Sequence, residues 1–227
     1  MSEKPRSATT KDRLVAAAYE LFEERGFDAT TAEDIARRAG VGRTTFFRAF
    51  GSKDDVIFPE HDLLLGRIDE RLAAATPATR ALALSEATRV VLRHYLDEGE
   101  LARARYRLVG SVPALRARET GGIQQYQRLF ARWLREWMSH LPDGHLRADL
   151  LAADLVTAHN YVLRRWLRDQ TSDPESEFDQ AMRVALERYQ PSGLEPSSTV
   201  VVLRTSATPA AIQAQLQPLL DNEAPLS

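Results

Sequence analysis

IARRAGVGRTTFFRAFGSK, residues 35–53, holds five basic side chains and no acidic one within nineteen positions. The whole chain of 227 residues has a formal net charge of −2, so this excess of positive charge is local. Such a cluster attracts the phosphates of duplex DNA through release of counterions. The stretch therefore indicates a DNA-binding surface, although a solvated helix face has the same charge pattern. The basic residues are Arg37, Arg38, Arg43, Arg48 and Lys53.

Apolar spacing and glycines around this stretch predict three short helices. Residues 11–25 place apolar side chains three and four positions apart, and Gly26 follows, as at a helix C-terminus. Thr31 is suited to cap a second helix that stops at Gly40, and a third helix is predicted over residues 43–50. Two helices joined by a tight, glycine-containing turn are a helix-turn-helix.

The third predicted helix has one side that suits docking and one that suits DNA. Phe46 and Phe50 are four positions apart and predict the side that packs on the other helices. On the opposite side, Arg43 and Arg48 can reach guanine edges or phosphates in the major groove. The side chains placed nearer the groove are Arg43, Thr44, Thr45, Phe47 and Arg48.

The segment GFDATTAEDIARRAGVGRTTFFRAFGSKDDV, residues 26–56, resembles the TetR family of transcriptional regulators. The resemblance implies a repressor that binds a palindromic operator in double-stranded DNA as a homodimer and is released by a small molecule. It also assigns contacts on DNA. Those implied to phosphates come from Thr31, Thr45 and Lys53, and those implied to bases from Arg43, Thr44 and Arg48.

This chain departs from the family pattern at two positions that face DNA. Phe47 stands where the family usually has tyrosine, so a phenolic hydroxyl is missing. Ala49 stands where tyrosine or histidine is common. These departures leave a second hypothesis open, in which the chain is a dimerising interaction protein with a degenerate DNA-binding domain.

The predicted fold is all-α, with a three-helix helix-turn-helix domain over residues 11–57 and a larger helical domain over residues 58–190. A disordered arm is expected over residues 1–10. Residues 191–227 have no assigned role and are expected to form a short β-α extension, because a β-branched run precedes a Thr-Pro helix start. Within the larger domain, the pair Gly121–Gly122 is expected to separate two helices.

The resemblance implies that the larger domain dimerises through its last two helices, at about 145–169 and 175–189. An apolar stripe on the first of them is a candidate interface, with intramolecular core as the alternative. The stripe consists of Leu151, Leu155, Val162 and Trp166.

The larger domain is also implied to hold an effector, which we expect to be hydrophobic or similar to acyl-CoA. Candidate pocket residues are polar side chains on otherwise apolar helices. Arg103, Arg105 and Arg107 are better explained as a solvated face than as an anion site. The candidate pocket residues are His94, Tyr95, Tyr106, Tyr126, His159 and Asn160.

Composition and motifs argue against several other classes of protein. The absence of cysteine excludes disulfides, thiolate catalysis and cysteine-ligated metals. The five histidines form no metal-binding pair, and no Gly-x-Ser-x-Gly or phosphate-binding loop occurs, so no catalytic residue, metal or cofactor is predicted. No apolar run is long enough to span a membrane, and we expect a cytoplasmic protein.

Overall fold

The computed structural model describes residues 9–187, and this part of the chain contains nine α-helices and no strand. The predicted all-α class is therefore confirmed. The arm predicted before residue 9 and the β-α segment predicted over 191–227 lie outside the described residues. The helices are α1 (Thr10–Arg25), α2 (Ala32–Arg38), α3 (Arg43–Ala49), α4 (His61–Ala73), α5 (Arg80–Glu98), α6 (Glu100–Ser111), α7 (Pro113–Trp137), α8 (Gly144–Leu167) and α9 (Pro174–Glu187).

Helices α1 to α3 form the predicted helix-turn-helix, and their boundaries follow from local signals. The backbone φ angle is 85° at Gly26 and 67° at Gly40, a region that glycine adopts without a steric penalty. Thr31 accepts a hydrogen bond from the backbone N–H of Asp34, whose carboxylate accepts one from the Thr31 backbone. This reciprocal cap satisfies two backbone donors at the start of α2.

After α3 the chain forms a short 3-10 turn at Asp54–Val56 rather than a longer helix. Pro59 follows shortly afterwards and lacks the backbone N–H that a continuing helix needs. The turn leads directly into α4, with Val56 and Ile57 completely buried. The segment therefore joins the first three helices to the rest of the chain through packed contacts.

Helix α7 runs through Gly121–Gly122 without a break, so the predicted separation at these glycines is wrong. Pro113 occupies its first turn, where the missing N–H costs no helical hydrogen bond. A Cβ added to Gly122 would lie 3.2 Å from the imidazole of His61, so glycine permits a close approach of α4. Tertiary packing thus overrides the weak helix propensity of the two glycines.

Two apolar clusters organise the described residues. The N-terminal cluster joins α1, α2 and α3 and also receives Val109 of α6 and Leu115 of α7. The C-terminal cluster is built mainly from α4, α5, α7, α8 and α9, with Phe130 and Phe178 among its most buried side chains. Among residues 9–187, no helix is both long and apolar enough to cross a lipid bilayer.

Candidate functional site

Helix α3 presents opposite faces to the N-terminal cluster and to solvent. Phe46 and Phe50 are buried, with exposures of 0% and 5%, which confirms the predicted docking side. The outer face is formed by side chains that the sequence analysis placed near DNA. Arg43, Thr44, Phe47 and Arg48 are exposed, and Thr45 is half-buried. We call Arg43, Thr44, Phe47 and Arg48 the reading face.

Some basic residues of the 35–53 stretch form ion pairs within the described part of the chain, and others do not. Arg37 pairs with Asp34, and Arg38 pairs with Glu20 and Glu24 of α1. By contrast, Arg43 and Arg48 form no ion pair with any residue in the part of the chain that the structure describes. Unpaired arginines that a solvent-exposed helix presents are available for phosphates or base edges, so the local charge excess is concentrated on the reading face.

Thr31 and Lys53, two of the residues implied to contact phosphate, both make internal hydrogen bonds. The Thr31 hydroxyl donates to the Asp34 carboxylate at 2.7 Å, a contact that holds the pKa of Asp34 well below its usual range. The Lys53 ammonium donates to the carbonyls of Phe27 at 2.8 Å and Thr30 at 3.1 Å. Both residues therefore brace the connection between α1 and α2. Their contacts with phosphate stay predictions, and Lys53 keeps a third donor for one.

Five of the six predicted pocket residues lie around one cavity in the C-terminal cluster. The cavity has a volume of about 70 Å³ and lies between α5, α6, α7 and α8. His94 lies elsewhere, with its ring nitrogens 3.5 Å from the carboxylates of Glu60 and Glu98. The predicted residues that line the cavity are Tyr95, Tyr106, Tyr126, His159 and Asn160.

The cavity in this conformation is smaller than a site for a drug-sized ligand, which occupies about 300 Å³ or more. Aromatic side chains fill much of its boundary, with Tyr95, Tyr126 and Phe130 on α5 and α7. Tyr95 and Tyr126 also line a cleft beside His61 at the start of α4. These two side chains therefore lie between the cavity and the cleft.

His159 is a buried polar group of the cavity wall and is 6% exposed. Its Nδ1 atom has no hydrogen-bond partner among residues 9–187. Burial lowers the pKa of His159 to about 4, so the imidazole is neutral at physiological pH. A neutral, unpaired imidazole in an apolar wall can bind a polar group of a ligand at little further desolvation cost.

The buried state of His159 predicts an acid-sensitive free energy of unfolding. The unfolded chain takes up a proton near the ordinary histidine pKa of 6.5, whereas the folded chain does so near 4, so stability falls as the pH drops through that window. We expect a loss of about 2 kcal/mol between pH 7 and pH 5. Urea denaturation at both pH values should show a smaller loss in His159→Gln. Equal losses in the two proteins would contradict a buried, neutral His159.

Arg105 is a buried charge, whereas the sequence predicted a solvated face for Arg103, Arg105 and Arg107. That interpretation is wrong for Arg105, which is 4% exposed, pairs with Glu98 and lies with its guanidinium carbon 5.1 Å from the centre of the Tyr95 ring. Burial raises the pKa of the Tyr19 hydroxyl in α1, and the nearby Arg105 charge opposes this rise. Arg105 thus lies between the cavity and α1.

Helix α6 connects the two apolar clusters. Ala102, near its start, is buried in the C-terminal cluster, and Val109, near its end, is buried in the N-terminal cluster. Arg105 lies between them on the same side of the helix and lines the cavity. A displacement of α6 at the cavity would therefore also act on the N-terminal cluster.

Four large apolar side chains are exposed on α8 and α9. The three on α8 lie on a different face of that helix from the predicted stripe of Leu151, Leu155, Val162 and Trp166, which is buried within the chain at 9% exposure or less. Assignment of that stripe to a dimer interface is therefore wrong, and the intramolecular alternative is confirmed. The exposed side chains, which we call the α8–α9 face, are Leu146, Leu150, Tyr161 and Val184.

Comparisons with known proteins agree with this arrangement of a helix-turn-helix and a helical domain. Residues 14–58 match the model of bacterial regulatory proteins of the tetR family, and residues 78–190 match the MftR C-terminal domain. The regulator TcmR of Streptomyces glaucescens is 30% identical, over 80% of this chain and 83% of its own length. The repressor KstR2 of Mycolicibacterium smegmatis is 28% identical, over 72% and 77%.

A solved structure of SmeT from Stenotrophomonas maltophilia in complex with triclosan has the same fold, with a TM-score of 0.54 and 19% identity. The alignment covers 86% of this chain and 99% of SmeT. The sequence relatives, the family match of the helix-turn-helix and its exposed reading face all indicate the same family. The chain is a transcriptional regulator of the TetR family.

Proposed function

We propose that this regulator is a dimeric repressor that binds a two-fold symmetric operator with one α3 helix from each subunit. The observation that carries the proposal is the reading face, where Arg43 and Arg48 are exposed and unpaired within the described residues. In a helix-turn-helix, this helix is the one that enters the major groove. Repression is supported by the names of KstR2 and SmeT, both of which are described as repressors.

In this proposal, residues 11–57 bind DNA, and residues 58–190 bind the effector and form the dimer. A two-fold operator requires two copies of α3 at a fixed separation, so the protein must pair with itself. The α8–α9 face supports this pairing, because Leu146, Leu150, Tyr161 and Val184 are each at least 50% exposed. Apolar patches of this kind are typical of protein–protein contacts.

Leu150→Glu is expected to weaken the proposed dimer, because it places a charge in the middle of the α8–α9 face. If Leu150 is a central contact, the loss should be about 2 kcal/mol or more of association free energy. Sedimentation equilibrium over a range of protein concentrations measures it. Leu82 of α5 is similarly exposed, at 54%, and Leu82→Glu serves as the matched control. An unchanged association constant in Leu150→Glu would remove this face from the proposed interface.

We further infer that a small, largely hydrophobic effector binds the cavity lined by Tyr95, Tyr126 and His159. The aromatic and aliphatic side chains of the wall, the buried polar groups Arg105 and His159, and the complex of SmeT with triclosan support this inference. An effector that enlarges the cavity would move α6 and thereby change the packing of the N-terminal cluster. A hundredfold release from DNA requires about 2.7 kcal/mol of coupling between the two sites.

Selection of binding sequences from a random duplex pool tests the proposed function. The full-length protein should enrich one sequence with two inverted half-sites, because a symmetric dimer presents two identical reading faces. Enrichment of nothing beyond non-specific DNA, from a protein that is still dimeric, would favour the alternative of an interaction protein with a degenerate DNA-binding domain.

A further inference from the structure

Phe47 is an exposed aromatic residue in the centre of the reading face. Its side chain is 44% exposed, whereas its neighbours Phe46 and Phe50 are buried. The ring of Phe47 packs edge-on against Phe46, with ring centres 5.3 Å apart and planes inclined at 82°. Because the buried partner fixes its orientation, Phe47 is held in place on the outer side of α3 before DNA arrives.

A phenyl ring in a major groove has few favourable partners. It has no donor for a phosphate oxygen, and the edges of guanine, adenine and cytosine present polar groups there. Thymine alone among the four bases presents a methyl group, at its C5 position. Burial of the ring against that methyl removes two apolar surfaces from water, so this is the most favourable base contact open to the ring.

Arg43 lies next to Phe47 on α3. The two residues are four apart in α3 and therefore on the same side of the helix. The guanidinium carbon of Arg43 lies 5.5 Å from the centre of the Phe47 ring. Successive bases along a DNA strand rise by about 3.4 Å, so this separation corresponds to one or two base steps. An arginine most often reads guanine, through its O6 and N7 atoms.

We propose that Phe47 is a specificity-determining residue that reads a thymine methyl in each half-site, and that Arg43 reads a guanine one or two base pairs away. The proposal rests on the proposed operator binding by α3. It assigns to Phe47 a contact with a base, which does not depend on the phenolic hydroxyl that the chain lacks at this position.

Base analogues in the selected operator test the contact without altering the protein. Deoxyuridine differs from thymidine by the one methyl group, so each thymine is replaced in turn at both half-sites. At one thymine position, the replacement should weaken binding about fourfold for each half-site, the effect of one buried methyl group. At a guanine one or two base pairs away, 7-deazaguanine should weaken binding because it lacks the N7 acceptor.

Variants of Phe47 assign the effect to this side chain. In Phe47→Ala, the ratio of affinities for thymine and deoxyuridine duplexes should fall to about one at that position. In Phe47→Tyr, which keeps the ring, the preference for thymine should remain. Leu82→Ala of α5 is the control for loss of an exposed apolar side chain. Thermal unfolding confirms that each variant is folded.

Three results overturn the proposal. If a selected operator shows no thymine at which deoxyuridine weakens binding, the Phe47 inference fails while the proposed function stands. The same holds if Phe47→Ala keeps the full preference for thymine over deoxyuridine. If the pool yields no preferred sequence, the proposed function fails and this inference fails with it.

Discussion

Replacing Arg43 with alanine is expected to reduce specific binding to the operator far more than binding to random DNA. A bidentate contact between arginine and guanine contributes about 1–3 kcal/mol, so loss of both copies in a dimer should cost about 2–6 kcal/mol. The side chain is exposed and forms no ion pair with another described residue, so its removal should leave the free energy of unfolding nearly unchanged.

Two matched variants separate base reading from simple loss of charge. Arg128→Ala removes an exposed arginine of α7, outside the helix-turn-helix, and should leave the preference for the operator intact. Lys53→Ala should weaken operator and random DNA alike if its third donor meets a phosphate. Fluorescence anisotropy at constant salt measures each case. If Arg43→Ala weakens operator and random DNA equally, Arg43 contacts phosphate rather than a base.

The second large effect is expected at the buried ion pair of Arg105 and Glu98. Removing one partner of a buried pair leaves an uncompensated charge and costs about 3–5 kcal/mol. Arg105→Ala should therefore lower the free energy of unfolding by about that amount, since Arg105 is 4% exposed and the side chain of Glu98 is 14% exposed. Denaturation in urea measures the change.

A double variant shows whether the loss belongs to the pair. In Arg105→Ala with Glu98→Ala no isolated carboxylate is left, so the double variant should be more stable than Arg105→Ala alone. Strictly additive losses from the two single variants would contradict coupling between these side chains. Because Arg105 also lines the cavity, the same variants should change the response of DNA binding to an effector.

The helix-turn-helix could be predicted from sequence because its determinants are local. Thr31 caps the second helix as expected, in a reciprocal cap with Asp34 three residues on, and Gly26 and Gly40 adopt positive φ where two helices end. The apolar pair Phe46 and Phe50 likewise identified the docking side of α3. Signals of this kind depend on neighbours along the chain rather than on distant contacts.

The larger domain was less predictable because distant contacts decide its details. Gly121–Gly122 indicated a break, yet contact with His61 and packing of α7 on α8 carry the helix across it. The buried stripe of α8 resembled an interface, since periodicity alone does not say which apolar face is covered by the chain itself. The spacing of Ala102, Arg105 and Val109, at i, i+3 and i+7, was the available signal that Arg105 lies on a buried side of α6.

The candidate sites were predictable to different degrees. The pattern of polar residues on otherwise apolar helices predicted five side chains that line one cavity, because such residues face a polar or empty space when they are buried. His94 has the same pattern but lies between two carboxylates outside that cavity. The internal hydrogen bonds of Lys53 depend on the fold of the α1–α2 connection, which lies more than twenty residues earlier in the chain.

The most direct test of the central claim is a fluorescence-anisotropy titration of the full-length protein near physiological salt. DNA from immediately upstream of its own gene is compared with random DNA of equal length. An operator-binding regulator acting on that DNA is expected to prefer it by about a thousandfold or more. If the upstream DNA and sequences selected from a random pool both bind no more tightly than random DNA, the account of α3 as a reader of DNA sequence is contradicted.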